Sequence, residues 1–359
     1  MDNYKKILIF LSKFELSNKK LETIMQIVED KNIKNIEELS NDSDIMATLS
    51  STEYHEILKN CDERLLASMI TNLEKSNVKV LTKNDEEYPE SLIDLPDAPM
   101  ILFAKGNLDL LKEKAISIVG TRMPTNYGRF VTEKFAETLA KAGVVIVSGL
   151  AYGVDAISHK KALEVGGKTI AVLGGGFNHI YPEAHTNLAN EIAEKGLILS
   201  EYAPFIKPTK FSFPRRNRII AGLSLGTLIT EASKKSGTIH TKEYALTYGK
   251  DVFAVPGNIN SPKSELTNML IKSAQAECVL SGNDILEYYG ISTQNEKKKM
   301  ISLNFEEQTI INLLQNGEQD FDYLAKNSNI SVNNLNSYLT TLEIRGLIKR
   351  MPAKTYMLN

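Results

Sequence analysis

Residues 144–174 read VVIVSGLAYGVDAISHKKALEVGGKTIAVLG, and this stretch contains two short apolar runs separated by a longer segment. The runs are VVIVSG at 144–149 and TIAVLG at 169–174, and each ends in glycine. A short continuous apolar run is typical of a strand that is buried on both faces. The segment between the runs is long enough for one crossover helix. The stretch therefore predicts a βαβ unit with two parallel strands.

The same alternation of apolar runs and helical segments extends in both directions along the chain. Four further runs are ISIVG (116–120), LILSE (197–201), LGTLITE (225–231) and DVFAV (251–255). Repeated βαβ units of this kind predict an α/β fold, with a mostly parallel sheet and helices on both of its faces.

The flanking regions differ from this central part. Residues 1–80 show helical periodicity, and residues 80–111 contain prolines and read as an irregular lead-in to the sheet. The polar, lysine-rich stretch 291–303 predicts a linker. Residues 304–359 read as three short helices followed by two strand-like runs, which indicates a winged helix. The predicted domains are thus 1–80, 81–290 and 304–359.

The composition is that of an ordinary globular protein. Of the 359 residues, 42% are hydrophobic and 24% are charged, which argues against disorder. The formal net charge is -2, so any contact with nucleic acid must come from a local basic patch. Cys61 and Cys278 lie far apart without metal-ligand spacing, which favours a reducing compartment. The apolar run near the N-terminus is too short for a signal peptide or a membrane span, so we expect a cytoplasmic protein with no membrane contact.

The loops that follow the predicted strands are rich in glycine and hydroxyl residues, and ligands of an open parallel sheet bind at this edge. The candidate residues are Thr121, Arg122, Ser148, Gly149, Gly174, Gly175, Gly176, Ser236, Gly237 and Thr238. Such loops let the backbone approach a ligand closely and donate hydrogen bonds to anionic oxygens. Tight turns use the same residue types for structural reasons, so both interpretations stay open for any single loop.

The most basic part of the chain is the window 202–230, which contains no Asp or Glu. Its five cations are Lys207, Lys210, Arg215, Arg216 and Arg218. At its centre, residues 211–222 read FSFPRRNRIIAG.

Two interpretations of this window are open. In the first, the three arginines hold phosphates, and Phe211 and Phe213 stack on exposed bases. In the second, the two phenylalanines fill the core and the arginines pair with Glu201 and Glu231 at the strand ends.

The nucleotide-binding motifs of other α/β proteins do not fit the spacing. A dinucleotide fingerprint would need a third glycine where His179 follows Gly174 and Gly176. The Gly-Lys-Thr sequence at 167–169 resembles part of a P-loop, but it precedes a strand and has Ala162 in place of the earlier glycine.

Acid–base chemistry is also hard to place. In a nucleotide phosphoribohydrolase of the lysine-decarboxylase-like kind, a glutamate follows a Gly-Thr pair in a helix, whereas Glu231 follows Gly226-Thr227 one residue too late. Asp155, Glu201 and Glu231 have no candidate nucleophile beside them. We therefore expect no enzyme activity and predict no cofactor and no metal site.

Seven segments together closely resemble the DNA-processing protein A family, also called DprA or Smf. They are GTRMPTNYG (120–128), SGLAYGVDAISHKKAL (148–163), AVLGGGFNHIYP (171–182), SEYAP (200–204), FPRRNRIIAGLS (213–224), EASKKSGTIHT (231–241) and VFAVPGNINSP (252–262). The helical start is similar to the family's SAM-like or helix-hairpin-helix region, and residues 304–359 to its winged-helix domain.

This resemblance implies an extended Rossmann fold that binds single-stranded DNA without hydrolysing it. It also implies a homodimer that protects incoming DNA and loads the recombinase RecA onto it during natural transformation. A single-strand-binding protein is a further expected partner in the competent cell.

The resemblance also assigns residues by their position in the motifs. It implies DNA contacts from Arg122 in the GTR motif, from the SGLA turn, from the SGT loop at 236–238, and from Arg215, Arg216, Asn217 and Arg218. The third loop departs from the family pattern, because Asn178-His179 replaces a common Asp. The resemblance therefore does not imply a basic contact from that loop.

Two rival functions remain. The first is a phosphoribohydrolase-like enzyme that uses Glu231. The second is a regulator whose winged helix reads double-stranded DNA, although its candidate recognition helix carries Glu343 and has no arginine before Arg345.

Overall fold

The computed structural model describes residues 1–291, 303–315, 317–345, 347–351 and 354–358. The chain divides into two compact units, Met1–Thr293 and Gln294–Asn359. Most of the predicted linker, residues 292–302, lies outside the described residues. Within the described residues, no helix is both long enough and apolar enough to cross a membrane.

The first unit begins with a bundle of six helices, as the periodicity predicts. They are α1 (Asn3–Leu11), α2 (Asn18–Asp30), α3 (Ile36–Asn41), α4 (Ser43–Thr48), α5 (Ser51–Asn60) and α6 (Glu63–Lys75). Each begins at a residue whose side-chain oxygen accepts a backbone N–H of the first turn, such as Ser17 for α2 and Ser50 for α5. Their apolar faces share one core with Ile101 and Phe103 of the central sheet.

The centre of this unit is a nine-stranded sheet with the order β1-β2-β6-β5-β4-β3-β7-β8-β9 among the described residues. Its strands are β1 (Lys79–Thr82), β2 (Ile101–Gly106), β3 (Ala115–Val119), β4 (Val145–Ser148), β5 (Thr169–Leu173), β6 (Leu197–Ser200), β7 (Gly226–Ile229), β8 (Asp251–Ala254) and β9 (Glu277–Cys278). The strands β3 to β9 are parallel to one another, and β1 and β2 are antiparallel at one edge. The six predicted strands are confirmed, but the lead-in at 80–111 is not irregular, because it contains β2 and most of β1.

Helices cover both faces of the sheet. They are α7 (Glu90–Ile93), α8 (Asn126–Lys141), α9 (Val154–Glu164), α10 (Thr186–Lys195), α11 (Ser212–Gly222), α12 (Thr238–Thr247), α13 (Glu265–Lys272) and α14 (Gly282–Tyr288), with short 3-10 helices at Leu108–Lys112 and Glu183–His185. Alternate strand residues point to opposite faces, so that Ile146 packs with α8 whereas Val145 and Val147 pack with α11. Burial on both faces explains why these strands read as continuous apolar runs.

The strand order reverses between β3 and β7, which are neighbours in the sheet but lie far apart in sequence. Ser117 and Thr227 lie opposite each other in these strands, and the Ser117 hydroxyl donates to Thr227 Oγ1 over 2.7 Å. In a doubly wound sheet the crevice outside the carboxyl ends of such a strand pair is the usual ligand site.

The second unit contains three helices and a three-stranded antiparallel sheet in its described part. They are α15 (Phe305–Leu314), α16 (Phe321–Asn327), α17 (Val332–Ile344), β10 (Gln319–Asp320), β11 (Ile348–Met351) and β12 (Thr355–Leu358). Leu335 and Leu339 of α17 pack with Ile348 and Tyr356 of the sheet. This order of elements is that of the predicted winged helix. The boundaries predicted at residues 80, 290 and 304 stay predictions.

Candidate functional site

A cleft of about 740 Å³ opens at the point where the strand order reverses. We call it the switch-point cleft. It is lined by the loop after β3, the starts of α9, α11 and α12, and Tyr181 from the loop before α10. Of the predicted site residues, it brings together Thr121, Arg122, Phe213, Arg216, Asn217, Ser236, Gly237 and Thr238. These residues come from three segments of the chain that the topology places at one sheet edge.

Two arginines dominate the charge of the cleft. Arg122 is exposed, whereas Arg216 is 4% exposed. The Arg216 guanidinium donates to the carbonyl oxygens of Gly149, over 2.8 Å, and Val172. The pKa of Arg216 is lowered to about 10, chiefly by burial and to a smaller extent by the charge of Arg122, while Asp155 opposes the shift. Two cations that line one cleft favour the binding of an anion there.

Asp155 offsets only part of this positive potential, because it is one carboxylate beside two arginines. It accepts the N–H groups of Gly149 over 3.1 Å and of Ala151 over 3.4 Å. Burial raises the pKa of Asp155, and the charge of Arg216 acts in the opposite direction. Among the described residues that line the cleft, Asp155 is the only acidic one.

Two lysines add to the positive charge of the cleft and are absent from the residues predicted above. Lys210 is exposed and lines the cleft at the start of α11. Lys263 places its Nζ 3.3 Å from Thr121 Oγ1. Lys210 stands inside the acid-free window, so the sequence offered a signal for it. Lys263 comes from the segment before α13, and only the tertiary structure brings it to the cleft.

Helix N-termini supply a second source of positive potential. Both α11 and α12 begin at the cleft, and the N-cap residue of neither helix makes a side-chain capping bond. The first N–H of α12, that of Thr238, donates to Ser236 Oγ over 3.3 Å. The positive end of a helix dipole attracts anions. Around α12, the Ser236 and Thr238 hydroxyls lie 2.9 Å apart and present further hydrogen-bonding groups.

One aromatic pair forms a wall of the cleft. The rings of Phe213 and Tyr181 have centroids 5.4 Å apart and an interplanar angle of 50°. Both residues line the cleft, and Tyr181 is largely exposed. Exposed ring faces beside cations suit a ligand that carries both flat bases and phosphates.

Arg218 does not face the cleft. It is 3% exposed, and its Nη2 lies 2.6 Å from Glu201 Oε1. Arg215 is half-buried and shares the same carboxylate oxygen at 3.3 Å, while it also donates to Asn18 Oδ1 over 2.8 Å. The ion-pair interpretation therefore holds for Arg218 and Arg215 with Glu201.

The other acidic residue of that interpretation, Glu231, has a different role. Its carboxylate accepts the backbone N–H of Thr125 over 2.8 Å and the Thr125 hydroxyl over 2.6 Å. Thr125 is the N-cap of α8, so Glu231 fixes the start of that helix. Its carboxylate is buried within the fold and pairs with no arginine among the described residues.

The SGLA turn and the glycines after β5 use their polar groups internally. The Ser148 hydroxyl donates to the carbonyl of Ile118 over 2.7 Å, and the Gly176 N–H donates to the carbonyl of Ile206 over 2.8 Å. The carbonyls of Gly174 and Gly175 accept serine hydroxyls. A Cβ at Gly176 would lie 2.1 Å from the Ala203 carbonyl oxygen, so glycine is required for this close approach. We infer that these residues shape the cleft without lining it.

Comparison with known proteins places the chain in a family. The model of the family described as DNA recombination-mediator protein A matches residues 79–290. The chain belongs to this family. The model described as DprA winged helix domain matches residues 299–354, which confirms the predicted winged helix.

Individual family members are similar over most of the sheet domain. DNA processing protein DprA of Streptococcus pneumoniae is 46% identical over 202 residues, which cover 56% of this chain and 71% of that protein. The X-ray structure of DprA from S. pneumoniae superposes with a TM-score of 0.69 and 36% identity, covering 80% of this chain and 98% of that one. A structure that concerns the single-stranded DNA binding mode of DprA from Helicobacter pylori has a TM-score of 0.54 and 36% identity, covering 59% and 95%.

Membership in the DNA recombination-mediator protein A family confirms the resemblance seen in the motifs. Within FPRRNR, the motif residues nonetheless divide between two environments. Phe213, Arg216 and Asn217 line the switch-point cleft, whereas Arg218 lies in the interior and Arg215 lies against the N-terminal helices. Phe211 is 74% exposed and does not line the cleft.

Proposed function

We propose that this protein binds single-stranded DNA in the switch-point cleft and does so without cleaving it. The observation that carries the proposal is the convergence of Arg122, Arg216 and Lys210 with the N-terminal ends of two helices in one cleft. Phosphates are held by such cations and N–H groups, and bases by aromatic faces. The H. pylori relative, whose structure concerns single-stranded DNA binding, supports the same assignment.

Within the cleft, we assign separate roles to the lining residues. Arg122 and Lys210 are exposed and contact successive phosphates, and Arg216 attracts the strand from the floor of the cleft. The hydroxyls of Ser236 and Thr238 take a further phosphate at the start of α12. Bases stack on Phe213 and Tyr181. Arg218, Ser148, Gly149 and residues 174–176 act through the fold.

We further propose that the bound strand is handed to a recombinase. In this proposal a homodimer protects incoming DNA during natural transformation in the cytoplasm, and RecA replaces it on the strand together with a single-strand-binding protein. These partners follow from the family resemblance. The cleft accounts for the first step, which is sequence-independent capture of the strand.

The enzyme alternative has less support. A phosphoribohydrolase would need a free carboxylate at Glu231, but both oxygens of that side chain accept hydrogen bonds from Thr125. The regulator alternative is also weakened, because Arg345 at the end of α17 lies 3.1 Å from the buried Glu307. A guanidinium engaged in this way is not free to read a base edge.

A pair of double variants separates the proposed function from the regulator. Lys349 and Arg350 are exposed on β11 of the winged helix. We expect the Lys349→Ala, Arg350→Ala variant to keep the wild-type affinity for a fluorescent single-stranded oligonucleotide in anisotropy titrations, because the strand lies in the other unit. The Arg122→Ala, Lys210→Ala variant should lose affinity in the same assay. Loss of binding in the winged-helix variant alone would support the regulator.

A further inference from the structure

A second cavity, which we call the side cavity, adjoins the start of α11. It has a volume of about 160 Å³. Thr209 lines both this cavity and the switch-point cleft. The next residues divide between the two, because Lys210 and Phe213 line the cleft whereas Phe211 and Ser212 line the side cavity. The two cavities are therefore neighbours that share one turn of the chain.

The walls of the side cavity are mostly apolar and come from two regions. The N-terminal helical region contributes Phe14, Leu16 and Leu21, and the start of β2 contributes Ile101. An engineered apolar cavity of about 150 Å³ binds benzene, so a cavity of this size accepts a single flat ring. A nucleobase is a ring of this kind with polar groups on its edge.

The cavity also contains the polar groups that the edge of a base needs. Glu201 lines it and has one carboxylate oxygen, Oε2, that is buried without a hydrogen-bond partner among the described residues. Arg215 lines it as well and is half-buried. Buried acceptors are nearly always paired in folded proteins, so this oxygen gains a partner when the carboxylate turns toward an incoming amino group. Cytosine, adenine and guanine carry such a group.

Phe211 lines this cavity, but its side chain does not pack into an apolar core. Its ring is 74% exposed, and Lys210 Nζ lies 4.9 Å from the ring centroid. Stacking of a base on this ring is favourable because it buries the exposed ring face. A base in this position takes the place of Lys210 on the ring, and Lys210 is then free to contact a phosphate in the cleft.

We propose that the side cavity is a nucleobase site, which receives one base of the strand whose phosphates lie in the switch-point cleft. The base stacks on Phe211 and is enclosed by the N-terminal helical region, which thereby takes part in DNA binding. This inference rests on the proposed function. The proposed nucleobase site differs from the switch-point cleft because residues of the N-terminal helical region form part of its wall.

The test combines one protein change with one DNA change. An oligonucleotide of cytosines, cut to the shortest length that still binds with full affinity so that its register is fixed, carries a single abasic position that is moved along the strand. Its affinity for the full-length protein is measured by anisotropy. We expect one position to lower the affinity of the wild type by roughly fivefold to a hundredfold, the range of one base stack. In Phe211→Ala the same abasic position should have little further effect, because the two changes remove one interaction. Phe211→Tyr should restore the sensitivity.

Phe130→Ala is the matched control. This ring is 57% exposed and has Lys134 Nζ 5.9 Å from its centroid, but it lines neither cavity. It should bind DNA as the wild type does, and the salt dependence of Phe211→Ala should equal that of the wild type because no charge is lost. If the effects of Phe211→Ala and of the abasic position are independent, the side-cavity site is overturned. In that case Arg122→Ala should still weaken binding, because the proposed function does not depend on the side cavity. Absence of any wild-type binding would overturn the proposed function itself.

Discussion

Replacing Glu201 with glutamine is expected to lower the free energy of unfolding by about 3–5 kcal/mol, the usual cost of removing one partner from a buried ion pair. Arg218 is almost fully buried, and its contact with Glu201 is 2.6 Å. Among the described residues, the variant leaves the guanidinium with the more exposed Asp97, at 3.4 Å, as its one carboxylate partner. Because glutamine has nearly the same shape as glutamate, the decrease in the free energy of unfolding measures the contribution of the negative charge. Urea denaturation followed by circular dichroism measures it.

The control for this variant is Glu191→Gln. Glu191 forms an exposed pair with Lys195 within α10, at 2.9 Å. Exposed pairs of this kind contribute about 0.3–0.5 kcal/mol, so this variant should unfold almost as the wild type does. Equal losses in the two variants would contradict the structural role of the Glu201–Arg218 pair.

This role changes how variants of the basic motif must be interpreted. Removing Arg218 leaves the buried Glu201 with only the half-buried Arg215 as an ion-pair partner among the described residues, and α11 loses one of its attachments beside the cleft. Weak DNA binding by such a variant would therefore be explained by loss of the folded structure and would not show that a phosphate contact had been lost. Stability and binding therefore have to be measured on the same preparation.

The Arg122→Ala, Lys210→Ala variant carries the largest expected loss of DNA affinity. Both side chains are exposed and line the cleft, and neither has an ion-pair partner among the described residues. Each charged contact contributes about 1.5–3 kcal/mol, so each loss should weaken binding by roughly tenfold to a hundredfold. The slope of log affinity against log salt should fall by about 1.4, because each phosphate contact on a single strand contributes about 0.7.

Lys168→Ala is the control for this loss of charge. Lys168 precedes β5 and lies at the amino end of the strands, opposite the cleft. Its removal should leave both affinity and salt slope unchanged. A wild-type slope in the double variant, or an equal drop in Lys168→Ala, would show that the cleft does not hold the phosphates.

The sequence predicts the parallel part of the sheet because burial on both faces leaves a plain pattern of apolar runs. It does not predict β1 and β2 from the same pattern, because prolines and acidic residues separate these antiparallel edge strands. The two-residue strand β9 is too short to leave any pattern.

The candidate site could be predicted only in part. The carboxyl ends of parallel strands converge, so the loops at 120–122 and 236–238 are found from the strand positions. The division among the arginines depends on where α11 begins. Once it begins at Ser212, Arg215 and Arg218 share one face three residues apart, and Arg216 points elsewhere. Composition alone contains no information about that start.

The central claim is that the cleft selects single strands. The most direct test is a salt series of anisotropy titrations in which the wild-type protein binds one oligonucleotide as a single strand and as the matched duplex. We predict tighter binding of the single strand at every salt concentration, with affinity falling linearly on logarithmic axes as salt rises. Equal or tighter binding of the duplex, or affinity that does not change with salt, would contradict the claim.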